Sequence, residues 1–218
     1  QVRKRCALAA MAVAEHFRDE GLSVLFLADS ITRFAEAHRE VAVAAGEAPV
    51  LRGYPPSTTH LITSLCERAG PGSATQGDIT ALFSVLVAGS DMDEPIADIL
   101  RGVLDGHMVL DRAIAARGRF PAVDVLRSVS RSIPAAADTR ENKLLGLTRK
   151  MLSLYDTNAM MIRAGLYTHG SDPEIDKAII LFPEIEAFLA KLEPADAQRG
   201  FSQLELILRR AGLSATST

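Results

Sequence analysis

The sequence predicts an α/β fold with a parallel sheet over residues 1–133, followed by an all-helical part over residues 134–218. Three observations carry this reading. Residues 23–28, SVLFLA, form a short continuous apolar run between two helix-patterned stretches, the signature of a strand buried on both faces of a parallel sheet. A second such run, ITALFSVLVA, occupies 79–88, and no strand pattern occurs beyond about residue 130.

The elements follow in order. Residues 2–19 place Cys6, Ala10, Met11, Val13, Ala14 and Phe17 at helical spacing with a charged opposite face. Gly21 supplies the C-terminal stop. The strand at 23–28 ends on Asp29, and Ser30 caps a helix over 31–45 whose Glu36, Arg39 and Glu40 wet one side. Pro55 and Pro56 exclude helix, and Ser57 caps the next one over 58–69. The loop GPGS at 70–73 leads to the strand at 79–88. An acidic turn at 89–95 precedes a short helix at 96–104, a turn at Asp105-Gly106 and a strand at 107–110. Gly118 and Pro121 bracket the connection to a strand at 123–125. Beyond Arg131, residues 140–166 carry Leu144, Leu147, Met151, Leu154 and Met161 at helical spacing. Asp172-Pro173-Glu174 opens another helix with acids that suit its dipole, bent or split at Pro183. The last helix covers 201–211, and the tail at 214–218 frays.

Composition narrows the function classes. The chain has 218 residues, 48% of them hydrophobic, enough to bury a core. A net charge of −3 gives no bulk attraction for nucleic acid or an anionic membrane, and the basic residues cluster only at Arg3–Arg5 and Arg209–Arg210. No apolar run approaches the roughly 20 residues of a membrane span. The two cysteines, Cys6 and Cys66, sit in helix-forming sequence and read as reduced, buried thiols of a cytoplasmic protein. The first residues, QVRKRCALAAMAVAEHF, are already helix-patterned and lack a start methionine, so the chain reads as beginning mid-protein, without a signal peptide.

The chemistry begins at Asp29. In open parallel sheets ligands gather at the carboxyl ends of strands, and an acid there can hold Mg²⁺ through water beside a nucleotide phosphate. An N-capping acid is the other reading, and the heptapeptide SVLFLAD alone does not separate them. Its neighbours do. The stretch LADSITRFAEAHREVAVAAGEAPVLRGYPPS at 27–57 resembles the segment after the magnesium-site strand in catalytic subunits of rotary ATP synthases. DMDEPIADILRGVLDGHMVLDRAIAARGRFPAVDVLRSVSR at 91–131 resembles the flagellum-specific export ATPases, whose cousins are the type III secretion ATPases. RAGLY at 163–167 and GSDPEIDKAI at 170–179 are similar to the flagellar branch.

The resemblance implies a RecA-like P-loop NTPase core with its phosphate loop upstream, since G-x-x-x-x-G-K-[ST] is absent from the 218 residues. Residues 1–133 would be the later part of that core and 134–218 its helical C-terminal domain. The complete protein would hydrolyse ATP with Mg²⁺ as a homohexamer energising flagellar protein export; this chain alone would be inactive. Asp29 is similar in position to the magnesium-site aspartate. Arg131 matches the arginine that reaches a neighbouring subunit's nucleotide, the alternative being a surface arginine. Leu86 stands at the position of the adenine-stacking aromatic of rotary synthases. Phe201 is a candidate for part of the adenine pocket, or a core phenylalanine. Arg33 braces the site, faces a subunit boundary or pairs with Asp29 one turn away. Tyr54 sits in a loop that would line the ring's channel, and Gly77-Asp78-Ile79-Thr80 resembles a loop that positions the site. Asp91, Asp93 and Glu94 read as an acidic turn rather than a metal cluster, and His107 as a core histidine bonded to backbone. His16, His38, His60 and His169 show no zinc spacing. Implied partners are the export apparatus, stalk and regulator proteins, chaperones and cargo, at the cytoplasmic face of the membrane, without nucleic acid. A non-catalytic ring subunit, an RNA translocase, and a fragment that only binds a regulator or chaperone are the alternatives.

Overall fold

The helical spacing of residues 2–19 becomes α1 (Val2–Asp19), which turns Met11 and Ala14 into the core. Gly21 ends it with φ at +86°. Its N–H reaches the Arg18 carbonyl at 2.9 Å while the Leu22 N–H reaches that of Phe17 at 3.1 Å, a Schellman closure that favours glycine. The structure is a computed structural model that describes residues 2–50, 52–90, 92–192 and 196–214. It divides into two compact units, Gln1–Leu104 and Asp105–Thr218.

In the first unit, β1 (Val24–Ala28) pairs in parallel with β3 (Asp78–Phe83), Val24 beside Ile79 and Ala28 beside Phe83. The two-residue β2 (Gly70–Pro71) adds antiparallel to β3. Gly77 lets the turn before β3 press on the end of α1, because a Cβ there would lie 2.0 Å from the Leu22 carbonyl oxygen. Helices α2 (Ile31–Ala44), α3 (Ser57–Cys66) and α4 (Pro95–Val103) complete the unit. Phe26 and Ile79 from the strands meet Met11, Phe34, Ile62, Leu65 and Ile96 in one core, each such burial contributing about 1.5–3 kcal/mol.

The first unit departs from four expectations. Continuous apolarity predicts a β1 buried on both faces, but side chains alternate along a strand and only the Phe26 face is covered. Leu25 and Leu27 stand 61% and 66% exposed, with Leu82 of β3 beside Leu27. The second strand stops at Phe83 rather than 88, because its backbone bonds turn toward α2. Ser57 does not cap α3 with its side chain; it lies within the first turn, and the Glu47 carboxylate accepts its N–H at 2.9 Å and its hydroxyl at 2.6 Å. Cys6 is exposed, whereas Cys66 is buried, its thiol pushed up to about 12 by desolvation.

The second unit opens with β4 (Gly106–Leu110), the short α5 (Arg112–Ala116), which the sequence reading misses, and β5 (Val123–Ser130). β4 and β5 form an antiparallel hairpin with a register break between His107/Val129 and Val109/Asp124. Helices α6 (Thr139–Arg163), α7 (Pro173–Leu189) and α8 (Ala197–Arg210) follow. Asp138 and Glu141 form a reciprocal capping box at the start of α6. Helix α7 runs unbroken through Pro183. Leu144, Met151, Leu181, Ile185, Leu204 and Leu208 make the helical core. Glu205 is held there between Arg140 and Arg209, which keep its carboxyl below the usual range. The tail beyond Ser214 lies outside the described residues.

A polar chain ties three helices of the first unit. Lys4 Nζ lies 3.1 Å from His38 Nδ1, and His38 Nε2 lies 2.7 Å from the Ser57 hydroxyl, which donates to Glu47. The donor count assigns a neutral His38 protonated on Nε2, accepting from Lys4 and donating to Ser57. Burial and then the Lys4 charge lower its pKa. The unfolded chain therefore takes the proton first, so this contribution to stability is complete above about pH 6.5 and is lost as pH falls below it. Glu47, lowered first by the Ser57 hydroxyl, adds the same sign only below about pH 4.3. Urea titrations across pH should show stability declining from about pH 6.5 downward, and His38→Gln should remove the upper part of that slope while leaving the part due to carboxylates.

Candidate functional site

Asp29 follows the last residue of β1, at the carboxyl end of the parallel pair, and its side chain is exposed. The Asp29–Ser30 peptide is cis. Around it, the chain leaving β3 is stitched to the chain entering α2. The Ser84 N–H donates to the Ala28 carbonyl at 3.0 Å, and the Ser84 carbonyl accepts the Ile31 N–H at 3.0 Å. The Ser84 hydroxyl donates to Asp29 Oδ1 at 2.5 Å. Thr32, buried in the first turn of α2, accepts the Leu86 N–H on its hydroxyl at 3.0 Å. Ser30 caps α2 as its sequence position predicts, accepting the Arg33 N–H at 3.3 Å. Asp29 therefore presents one oxygen engaged by Ser84 and a second, Oδ2, with no protein partner among the described residues.

The neighbours sort differently. Arg33 pairs with Glu36 at 2.9 Å rather than with Asp29. Leu86 is half-exposed just past the β3 exit, held there through its backbone. Gly77, Asp78, Ile79 and Thr80 stand at the amino end of β3, across from Val24, so the register puts them at the far end of the sheet from Asp29. Tyr54 is buried in the core with the Arg39 guanidinium 5.2 Å from its ring centroid, a packing role. Asp93 pairs with Arg101 at 3.2 Å and Glu94 accepts the Ala88 N–H at 3.2 Å; Asp91 lies outside the described residues. Among the described residues no three His, Cys, Asp or Glu side chains converge as a metal centre.

Arg131, in the second unit, directly follows β5, and its side chain is exposed. Its N–H donates to the Asp105 carbonyl at 2.6 Å. Opposite, Gly106 is required by closeness: a Cβ would stand 2.5 Å from the Val129 carbonyl oxygen. The register break upstream would orphan several backbone groups, and side chains take them up. Asp124 Oδ1 accepts the N–H groups of Leu126 and Arg127 at 3.0 and 3.1 Å. The Val109 N–H donates to the Ser128 hydroxyl at 3.0 Å. Arg149 of α6 donates to the carbonyls of Val125, Leu126 and Ser128 at 2.8, 3.1 and 3.3 Å. The strand that delivers Arg131 is thus clamped by the helices. Phe201 packs, partly buried, against the helical core. His107 is half-buried with Nε2 3.2 Å from the Arg127 carbonyl. Ser84, Thr32 and Arg149 carry no motif that sequence reading could have caught, and Ser84 lies inside the apolar run 79–88 rather than at its end.

The sequence model of the ATP synthase alpha/beta family, nucleotide-binding domain, matches residues 1–130, and that of the T3SS EscN ATPase C-terminal domain matches residues 137–205. The chain is 46% identical over 214 residues to the flagellum-specific ATP synthase of Caulobacter vibrioides, covering 95% of this chain and 48% of that one. It is similar to the assembled ATPase EscN of the enteropathogenic E. coli type III secretion system, with a TM-score of 0.88 and 37% identity over 93% of this chain and 49% of that one. EscN in complex with its central stalk EscO matches with a TM-score of 0.81 and 37% identity, covering 94% of this chain and 49% of that one. The chain spans about half the length of these relatives. No helix among the described residues is long and apolar enough to cross a membrane.

Arg149→Met should remove the donor to three carbonyls and lower the second unit's stability by about 0.5–1.5 kcal/mol. Denaturant unfolding measures the loss, and hydrogen exchange should locate it by faster exchange in β5 than in α7.

Proposed function

Because the chain belongs to the ATP synthase alpha/beta family, in the branch of the flagellar and type III secretion ATPases, we propose that it is the later half of a protomer that hydrolyses ATP to energise flagellar protein export. The observation that carries this is the exposed Asp29 carboxylate at the carboxyl end of the parallel strand pair, held on one oxygen by Ser84 and open on the other. The donor set fits magnesium. Mg²⁺ binds through one or two carboxylates plus substrate phosphates and keeps several waters, so one carboxylate without a converging cluster suits it.

In this reading the ion, when bound, neutralises charge on the phosphate oxygens. Asp29 accepts hydrogen bonds from its water ligands and fixes where they stand. The phosphate cradle and the glutamate that polarises the attacking water come from the upstream half. Arg131 acts in trans: the clamped end of β5 presents its guanidinium to a neighbouring protomer's nucleotide, where its planar donors match phosphate oxygens. The site is complete only between protomers, so turnover depends on ring closure, in a homohexamer. Leu86, half-exposed just past the end of β3, carries no ring to stack on adenine; Phe201, partly buried on the helical core, is a separate candidate for the adenine contact. The helical unit, tied to β5 through Arg149, passes motion between nucleotide and stalk, chaperones or cargo. The ring works in the cytoplasm, peripheral to the membrane at the export gate.

In the full-length protein, Arg131→Ala should leave nucleotide affinity nearly unchanged and lower turnover by roughly 10³–10⁵, read by steady-state hydrolysis beside equilibrium nucleotide binding. An equal loss of both would refute the role in trans.

A further inference from the structure

We infer that Ser84 is the positioning residue for Asp29: its hydroxyl fixes the rotation of the Asp29 carboxylate so that Oδ2 alone faces the metal-bound water. The inference rests on the reading of Asp29 given above. Two features of the geometry carry it. The hydroxyl donates to Oδ1 at 2.5 Å, so that oxygen's position is taken. Second, the Ser84 main chain is pinned on both sides of the acid, its N–H on the carbonyl of Ala28 before Asp29 and its carbonyl under the N–H of Ile31 after it. The serine cannot drift relative to the aspartate without breaking the β1–β3 register or the start of α2. The Leu86 N–H on the buried Thr32 hydroxyl locks the next turn of the same chain.

A free carboxylate at an exposed strand end rotates and shares its charge among waters. One oxygen held by a fixed donor presents the other in a single direction, which is what a ligand acting through water requires. The β3 exit thereby has a chemical task at the acid of β1, and the parallel register is what brings the two residues together.

The test uses the full-length protein loaded with ADP and titrated with Mn²⁺ by electron paramagnetic resonance, a readout independent of turnover. Partners of this kind typically contribute 10–100-fold in metal affinity. Ser84→Ala should weaken Mn²⁺ binding by about that factor while metal-free ADP affinity stays unchanged. Ser84→Thr, which restores the hydroxyl, should recover the affinity, and Ser84→Val, its isostere without the hydroxyl, should not. The Thr/Val pair decides the question even where Ser84→Ala folds poorly. Wild-type Mn²⁺ affinity in Ser84→Val, with Asp29→Asn weakened, overturns the role of Ser84 and leaves that of Asp29 standing. Wild-type affinity in Asp29→Asn overturns both.

Discussion

The arrangement hangs on the parallel register of β1 with β3. With Ala28 beside Phe83, the residue after each strand meets its counterpart, so Asp29 and Ser84 face each other at the same edge. Strand side chains alternate, and a slip of one residue would turn either Phe26 or Ile79 out of the core. The hydrophobic requirement that sets the register is thus also what sets the polar pair. Core packing and site geometry are one constraint, enforced by Met11, Ile62 and Leu65 beneath the sheet.

The second unit shows the same economy in another form. Its hairpin is irregular, and the irregularity is tolerated because Asp124, Ser128 and Arg149 meet the displaced backbone groups. Val125 and Leu126 rest on the helical core. The strand end that carries Arg131 therefore belongs, by packing and hydrogen bonds, with the helices that follow it. Charge at Glu205, trapped between Arg140 and Arg209, keeps α8 seated on α6.

Much of this was legible in the residues. Helical spacing located α1, α2, α6 and α8, Gly21 and Ser30 marked real boundaries, and the position of Asp29 at a strand exit needed only its apolar run. The illegible parts have physical causes. Val85, Leu86 and Val87 look like strand, but the Ser84 carbonyl and the Leu86 N–H bond to the start of α2, and no local propensity reports that choice. A five-residue helix such as α5 is shorter than any periodicity can register. Burial on one face against two depends on what packs above the sheet, so SVLFLA reads the same either way. Arg149 is an ordinary helix-surface arginine until β5 bulges beneath it. Pro183, expected to bend or split α7, is absorbed there.

The uncovered side of the sheet has a practical meaning. Leu25, Leu27 and Leu82 form a flat, uncharged strip on adjacent strands, and such surfaces adhere to one another in water. A solution of these 218 residues alone is therefore colloidally poised: crowding favours face-to-face association, and the modest net charge of −3 supplies little repulsion against it.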